Sequence, residues 1–157
     1  MSNLWPDFSN LNILTMPKTI LEDQANYLVK ATDGKLYGSV EEVNYYNDEG
    51  IKIETNLFEF NFVIKGKFLS NYKFKAFTIY HDIVIYPLSI MLEPDIGNEI
   101  FESSEVHDFV EEIDYEGEDE GVFIEGIKSE EDFEKVLYYI FRTEKIKNVI
   151  ESLISLS

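Results

Sequence analysis

The sequence predicts one α+β domain over residues 1–157, in which an antiparallel sheet of about four to six strands carries an N-terminal helix and two C-terminal helices on one face. Three observations support this fold class. Residues 36–92 are rich in β-branched and aromatic residues, which favour strands. Residues 17–31 and 129–155 instead place apolar residues at helical spacing. A chain of 157 residues with 45% apolar residues is also long enough to bury a core.

An irregular segment, residues 1–16, is expected to precede the first helix. Its apolar side chains should pack back onto the domain: Leu4, Trp5, Phe8, Leu11 and Ile13. Thr15 is a candidate N-cap, and Pro17 suits the first turn of a helix that reaches Ala31. Gly34 is free to take the left-handed conformation that ends this helix.

Four strands are predicted between the first helix and residue 92. The first spans residues 36–47 and the second spans 51–65, with a turn at 47–50 between them. The third runs from residue 72 to His81 with alternating faces. The fourth, residues 83–92, is apolar on both faces, which is typical of a buried strand. We therefore expect the third and fourth strands to form the middle of the sheet.

The remainder of the chain is expected to mix short elements with two longer helices. In chain order we predict a loop at 93–98, a short strand at 99–102, a helix over 104–113, a solvated loop at 115–121 and a strand at 122–127. Ser129 and Thr143 then begin helices that end near residues 142 and 155. The sheet face opposite the helices should carry aromatic and lysine side chains, which makes it a candidate homodimer contact.

The net charge of −18 is concentrated in one segment of the chain. Residues 1–92 carry 11 acidic and 8 basic side chains, and residues 135–157 carry 2 acidic and 4 basic ones. Residues 93–134 carry 18 acidic and 1 basic side chain, a net charge of −17. Such a segment repels nucleic acid and anionic membranes and attracts basic surfaces. We therefore expect a basic protein partner.

Several classes of protein are excluded by residues that the chain lacks. It has no cysteine, which excludes a disulfide scaffold, a thiol nucleophile and a zinc site built on thiolates. We find no glycine-rich phosphate loop and no serine with a partner base, so we expect no cofactor and no catalytic site. The N-terminus does not resemble a signal peptide, and no apolar run approaches the roughly 20 residues of a membrane span. These features predict a soluble cytoplasmic protein.

Two His-Asp pairs support an alternative hypothesis, a metal-dependent hydrolase. The pairs are His81-Asp82 and His107-Asp108. Neighbouring residues in a strand point to opposite faces, and two histidines supply few ligands for a metal ion. We therefore favour a structural role for both pairs.

The sequence resembles a set of small bacterial proteins of unassigned activity. The similar stretches are 17–22, 24–28, 34–38, Asn71-Tyr72 with Phe77, Ile79, His81 and Tyr86-Pro87, and the paired C-terminal helices. Residues 105–126 are additional relative to that group. In size and acidity the chain is also similar to immunity proteins, which neutralise a toxin by binding it, and to phage proteins that block host defence. This second resemblance implies a toxin or a defence protein as the partner.

Together these features predict a protein that is not an enzyme and that neutralises or inhibits a basic partner through residues 93–134. Charged side chains steer association, and apolar or aromatic anchors carry most of the affinity. Phe109 and Tyr115 are the candidate anchors. Phe109 lies in the predicted helix over 104–113 with the apolar residues Val106, Val110 and Ile113, and Tyr115 begins the loop that follows. The candidate steering residues are Glu111, Glu112, Asp114, Glu116, Glu118, Asp119 and Glu120.

Overall fold

The computed structural model describes residues 1–108, 112–115 and 121–156, with the backbone alone at residues 104, 107 and 112–115. The helices are α1 (Pro17–Ala31), α2 (Pro94–Glu102), α3 (Ser104–His107), α4 (Glu130–Phe141) and α5 (Glu144–Ser155). The strands are β1 (Leu36–Glu42), β2 (Phe58–Gly66), β3 (Phe74–His81), β4 (Leu88–Leu92), β5 (Glu112–Tyr115) and β6 (Val122–Ile127).

The described strands form one antiparallel sheet in the order β1-β2-β3-β4-β6-β5. The predicted α+β fold is confirmed, including the N-terminal helix and the two C-terminal helices. The central position of β3 and β4 is confirmed as well. The segment 93–134 therefore supplies β6 and the edge strand β5, at the end of the sheet opposite β1.

One face of the sheet holds the core, and the helices pack against it. Phe62 of β2 stacks on Phe77 of β3, with their ring centroids 5.2 Å apart. Phe141 of α4 contacts both rings, at 5.5 and 6.2 Å. At β1, Gly38 allows α1 to approach so closely that a Cβ there would lie 2.8 Å from the Cβ of Ala25. The core face is thus closed by aromatic packing at its centre and by a small-residue contact at its edge.

The predicted helix boundaries are confirmed where local capping signals define them. α1 begins at Pro17, as expected, but Met16 rather than Thr15 occupies its N-cap position. The hydroxyls of Ser129 and Thr143 accept backbone N–H groups at the starts of α4 and α5. Gly34 takes a positive φ of 76° just after α1.

The strands β1, β2 and β4 are shorter than predicted. Residues 43–57 form an extended excursion with one isolated bridge, between Tyr46 and Lys52. Residues 83–87 form a turn in which the Asp82 carboxylate accepts the backbone N–H of Val84 at 2.8 Å. Both regions contain β-branched residues, which favour strands. Both lie beyond the ends of the neighbouring strands, so they have no described strand with which to pair. Ile83 and Val84 are consequently exposed at 79% and 72%.

Three predictions within residues 93–115 were wrong. The predicted loop at 93–98 and strand at 99–102 form the helix α2, because the Glu93 carboxylate accepts the N–H groups of Asp95 and Ile96 and the helix buries Ile96 and Ile100. The predicted helix over 104–113 ends at residue 107. Ile113 lies instead in β5, where it pairs with Ile124.

The N-terminal segment does not pack back onto the core, which corrects another prediction. Its large apolar side chains are exposed: Leu4, Trp5, Phe8, Leu11, Ile13, Leu14 and Met16. The helices already fill the core face that these side chains would otherwise cover. A long-range hydrogen bond from the Thr15 N–H to the Glu130 carboxylate, at 3.4 Å, holds the segment near α4.

Candidate partner-binding surface

The acidic segment, residues 93–134, occupies one end of the sheet in the part of the chain that the structure describes. It builds α2, α3, β5, β6 and the first turns of α4. α2 is held against β6 at Gly97, where a Cβ would collide with the Val122 side chain. Several of the carboxylate-bearing residues are exposed to solvent there: Glu102, Glu105, Asp108, Glu125, Glu131 and Glu134. These elements therefore present several negative charges to solvent.

Three carboxylates of the segment have structural roles. Glu93 caps α2. Asp95 forms an ion pair with Lys145 of α5 at 2.9 Å. Glu99 accepts the backbone N–H groups of Glu144 and Lys145 at 2.8 and 3.1 Å, which caps α5 from another helix. The hydrogen bond that the Lys145 ammonium donates to Asp95 raises the pKa of Lys145, with Glu93 adding to the effect. These contacts fasten α2 to α5.

The predicted contact residues lie partly outside the described structure. Phe109, Glu111, Glu116, Glu118, Asp119 and Glu120 are outside the described residues. Glu112, Asp114 and Tyr115 belong to β5, where their backbone positions pair with Glu125, Phe123 and Val122.

Val106, one of the apolar residues of the predicted helix that carries the anchor candidate Phe109, is fully buried. It therefore belongs to the core rather than to a contact surface.

A groove that sequence reasoning missed lies between α2, α5 and the turn after β2. This α2–α5 groove has a volume of about 650 Å³. Its apolar lining comes from Leu69, Tyr72, Val149, Leu153 and Leu156, and its charged lining comes from Asp95, Glu99, Glu144 and Lys145. The available signal was the 4-3-4 spacing of residues 145, 149, 152 and 156 along α5 and its C-cap. The partner helix α2, however, was predicted as a loop followed by a short strand.

The two His-Asp pairs are not assembled into a site by the described residues. His81 is 2% exposed and stacks on Phe58 with ring centroids 5.1 Å apart. Its Nδ1 lies 2.8 Å from the Asp82 carbonyl oxygen, which can only accept, so Nδ1 carries the proton. The side chain of His107 is outside the described residues. Among those that are described, no three His, Cys, Asp or Glu side chains cluster as metal ligands would.

The sheet face opposite the helices carries aromatic and lysine side chains, as predicted. The strand register places Tyr37, Lys65, Lys75, Tyr80 and Phe123 on this face. The Lys65 ammonium lies 6.0 Å from the centre of the Tyr37 ring and 3.6 Å from the Glu41 carboxylate. Lys73 also pairs with Glu41, at 3.4 Å. Internal pairing therefore compensates part of the positive charge of this face.

Comparison with known proteins finds no family model, curated protein or solved structure that matches this chain. The resemblance to small bacterial proteins thus remains a prediction. Within the described residues, no helix combines the length and the hydropathy that crossing a membrane requires.

Proposed function

We propose that this protein is a non-enzymatic binding module that neutralises or inhibits a basic protein, either as an immunity protein against a bacterial toxin or as a phage inhibitor of host defence. The observation that supports the proposal is the net charge of −17 within residues 93–134, compared with −3 and +2 in the flanking parts of the chain. The fold gathers the described part of this segment at one end of the sheet.

Such a concentration of charge has a physical cost, because like charges on one surface repel each other. The segment contains one basic residue, Lys128, to offset its 18 acidic residues. A basic partner would relieve this repulsion, and its approach would be accelerated by the field of the segment. If the partner binds nucleic acid, carboxylates on this surface would occupy the positions of phosphates.

A charge-neutralised variant with a matched control tests the proposal. The segment variant carries Glu116→Gln, Glu118→Gln, Asp119→Asn and Glu120→Gln. The control carries Glu42→Gln, Asp48→Asn, Glu49→Gln and Glu54→Gln, at positions that are exposed and outside the segment. Both variants lose four negative charges, so a difference between them reports where the charge matters.

The measurement combines capture and kinetics. Wild-type protein captures its partner from lysate of the native host, and the association rate constant of the purified partner is then measured at about 20 and 150 mM salt. We expect the segment variant to associate about tenfold more slowly at low salt and to show a flatter salt dependence. The control should behave as the wild type. Equal rates for the two variants, or a captured partner that is acidic, would overturn the proposal.

A further inference from the structure

The α2–α5 groove has an apolar floor that is partly exposed to solvent. Leu153 belongs to the hydrophobic core and Val149 packs against it, so the floor is continuous with the core of the domain. Tyr72 and Leu156 remain exposed at 42% and 65%. At about 650 Å³ the groove lies within the range of roughly 300–1,000 Å³ that is typical of ligand sites. It is therefore large enough to hold apolar side chains of a bound segment.

Carboxylates on both helices give the groove an acidic rim. Asp95 and Glu99 line it from α2 and Glu144 lines it from α5, against the single ammonium group of Lys145 among the lining residues. Lys145 is already held by Asp95 at 2.9 Å and by Glu93 at 3.9 Å. The rim consequently keeps a net negative charge.

The rim is also fixed before any partner arrives. Both carboxylate oxygens of Glu99 accept backbone N–H groups at the start of α5, and the ion pair of Lys145 spans the two helices. A site whose walls are already ordered loses little conformational entropy on binding. This preorganisation favours the groove over the exposed excursion at residues 43–57 as a place of tight contact.

We infer that the α2–α5 groove seats a basic amphipathic segment of the partner, with apolar side chains against its floor and lysine or arginine residues along its rim. This inference rests on the proposed function and deepens it: residues 93–134 attract the partner, and the groove holds it. Charge complementarity selects this occupant. A second copy of the chain carries a net charge of −18, and the N-terminal segment, residues 1–16, has one acidic and no basic side chain.

A designed peptide provides the probe, because the inference concerns a class of segment rather than one partner. An amphipathic helical peptide of about 14 residues, built from leucine and lysine, is labelled with fluorescein. Peptides of the same composition in scrambled order, and of leucine and glutamate in the amphipathic order, serve as probe controls. Binding to the full chain is followed by fluorescence anisotropy, and the site is mapped by amide chemical shifts.

Exposed residues in the groove allow a variant that should fold normally. The groove variant carries Tyr72→Ser and Leu156→Ser. The control carries Tyr46→Ser and Leu57→Ser, the same residue types at exposed positions away from the groove, 59% and 47% exposed. Far-UV circular dichroism and thermal unfolding confirm that both variants retain the fold.

We expect the leucine–lysine peptide to bind the wild type with shifts confined to α2, α5 and the adjoining turn, and to bind the groove variant about tenfold more weakly. The control variant should bind the leucine–lysine peptide with the affinity of the wild type. The two control peptides should not bind the wild type. Equal affinity for the groove variant and the wild type, shifts elsewhere, or no binding at about 1 mM peptide would overturn the groove assignment. The proposed function would survive these outcomes, because it depends on the separate test with the four neutralised carboxylates.

Discussion

Replacing Gly38 by alanine tests a close helix–sheet contact, the one between α1 and β1. An alanine Cβ would lie 2.8 Å from the Cβ and 3.0 Å from the Cα of Ala25, and 3.3 Å from Cζ of Phe62. Carbon atoms in favourable contact are roughly 3.5–4.0 Å apart, so α1 would have to retreat by about 1 Å. The retreat would loosen the packing of Leu21, which is fully buried on the same helix.

The expected loss of stability can be bounded. Overpacking a well-filled core costs about 1–3 kcal/mol, whereas replacing a strand glycine by alanine returns about 0.5–1 kcal/mol of chain entropy. The difference between the central values predicts that Gly38→Ala lowers the free energy of unfolding by about 1 kcal/mol. Urea unfolding followed by far-UV circular dichroism measures this change. Fluorescence is a poor reporter, since the single tryptophan, Trp5, is 74% exposed in the N-terminal segment.

A double-mutant cycle locates the cause of the loss. Ala25→Gly removes the nearer of the two Ala25 atoms and leaves the Cα at 3.0 Å. Combined with Gly38→Ala, it should recover part of the loss, with a coupling energy of about 1 kcal/mol. If Gly38→Ala proved as stable as the wild type, or if the two changes were simply additive, the close approach of α1 to β1 would be refuted. Ala25 and Gly38 lie in two of the stretches that carry the sequence resemblance, and this contact gives both small residues a physical reason.

Two further predictions concern the pKa of a buried tyrosine and the capping of α5. The Tyr86 hydroxyl is buried and has no hydrogen-bond partner among the described residues, so Tyr86→Phe should leave stability at neutral pH unchanged or raise it by about 1 kcal/mol. Burial, followed by the carboxylates of Glu130 and Glu134, raises the pKa of Tyr86 from 10.0 to about 12. The wild type should therefore lose stability between pH 10 and 12, and Tyr86→Phe should lose less. Urea titrations at several pH values measure the free energy of unfolding of both proteins, and parallel plots of this free energy against pH would contradict the prediction. Glu99→Ala should lower the free energy of unfolding by about 1–2 kcal/mol, because it removes the cap of α5. Glu99→Gln should lower it by less. Equal losses for the two variants in thermal or urea unfolding would show that the carboxylate is not the cap.

The sequence by itself determined the elements whose signals are local. Pro17 fixes the start of α1, and the hydroxyls of Ser129 and Thr143 fix the starts of α4 and α5, because each acts within one turn of its own position. The spacing of apolar residues then identified the core faces of these helices. The total charge and its concentration in residues 93–134 required no fold at all. The chemistry of the proposed surface was therefore visible in the sequence, although its shape was not.

Tertiary structure decided what depends on residues far apart in the chain. Glu99 caps a helix 45 residues away, so the groove between α2 and α5 could not be predicted from local patterns, although the Glu93 cap that begins α2 is itself a local signal. The same reason explains the strands that proved too long, because β-branched residues form a strand only where a neighbour is available to pair. It also explains the exposed apolar residues of the N-terminal segment. Hydropathy shows that a side chain favours burial, but whether any uncovered core surface remains for it is decided by how the other elements pack.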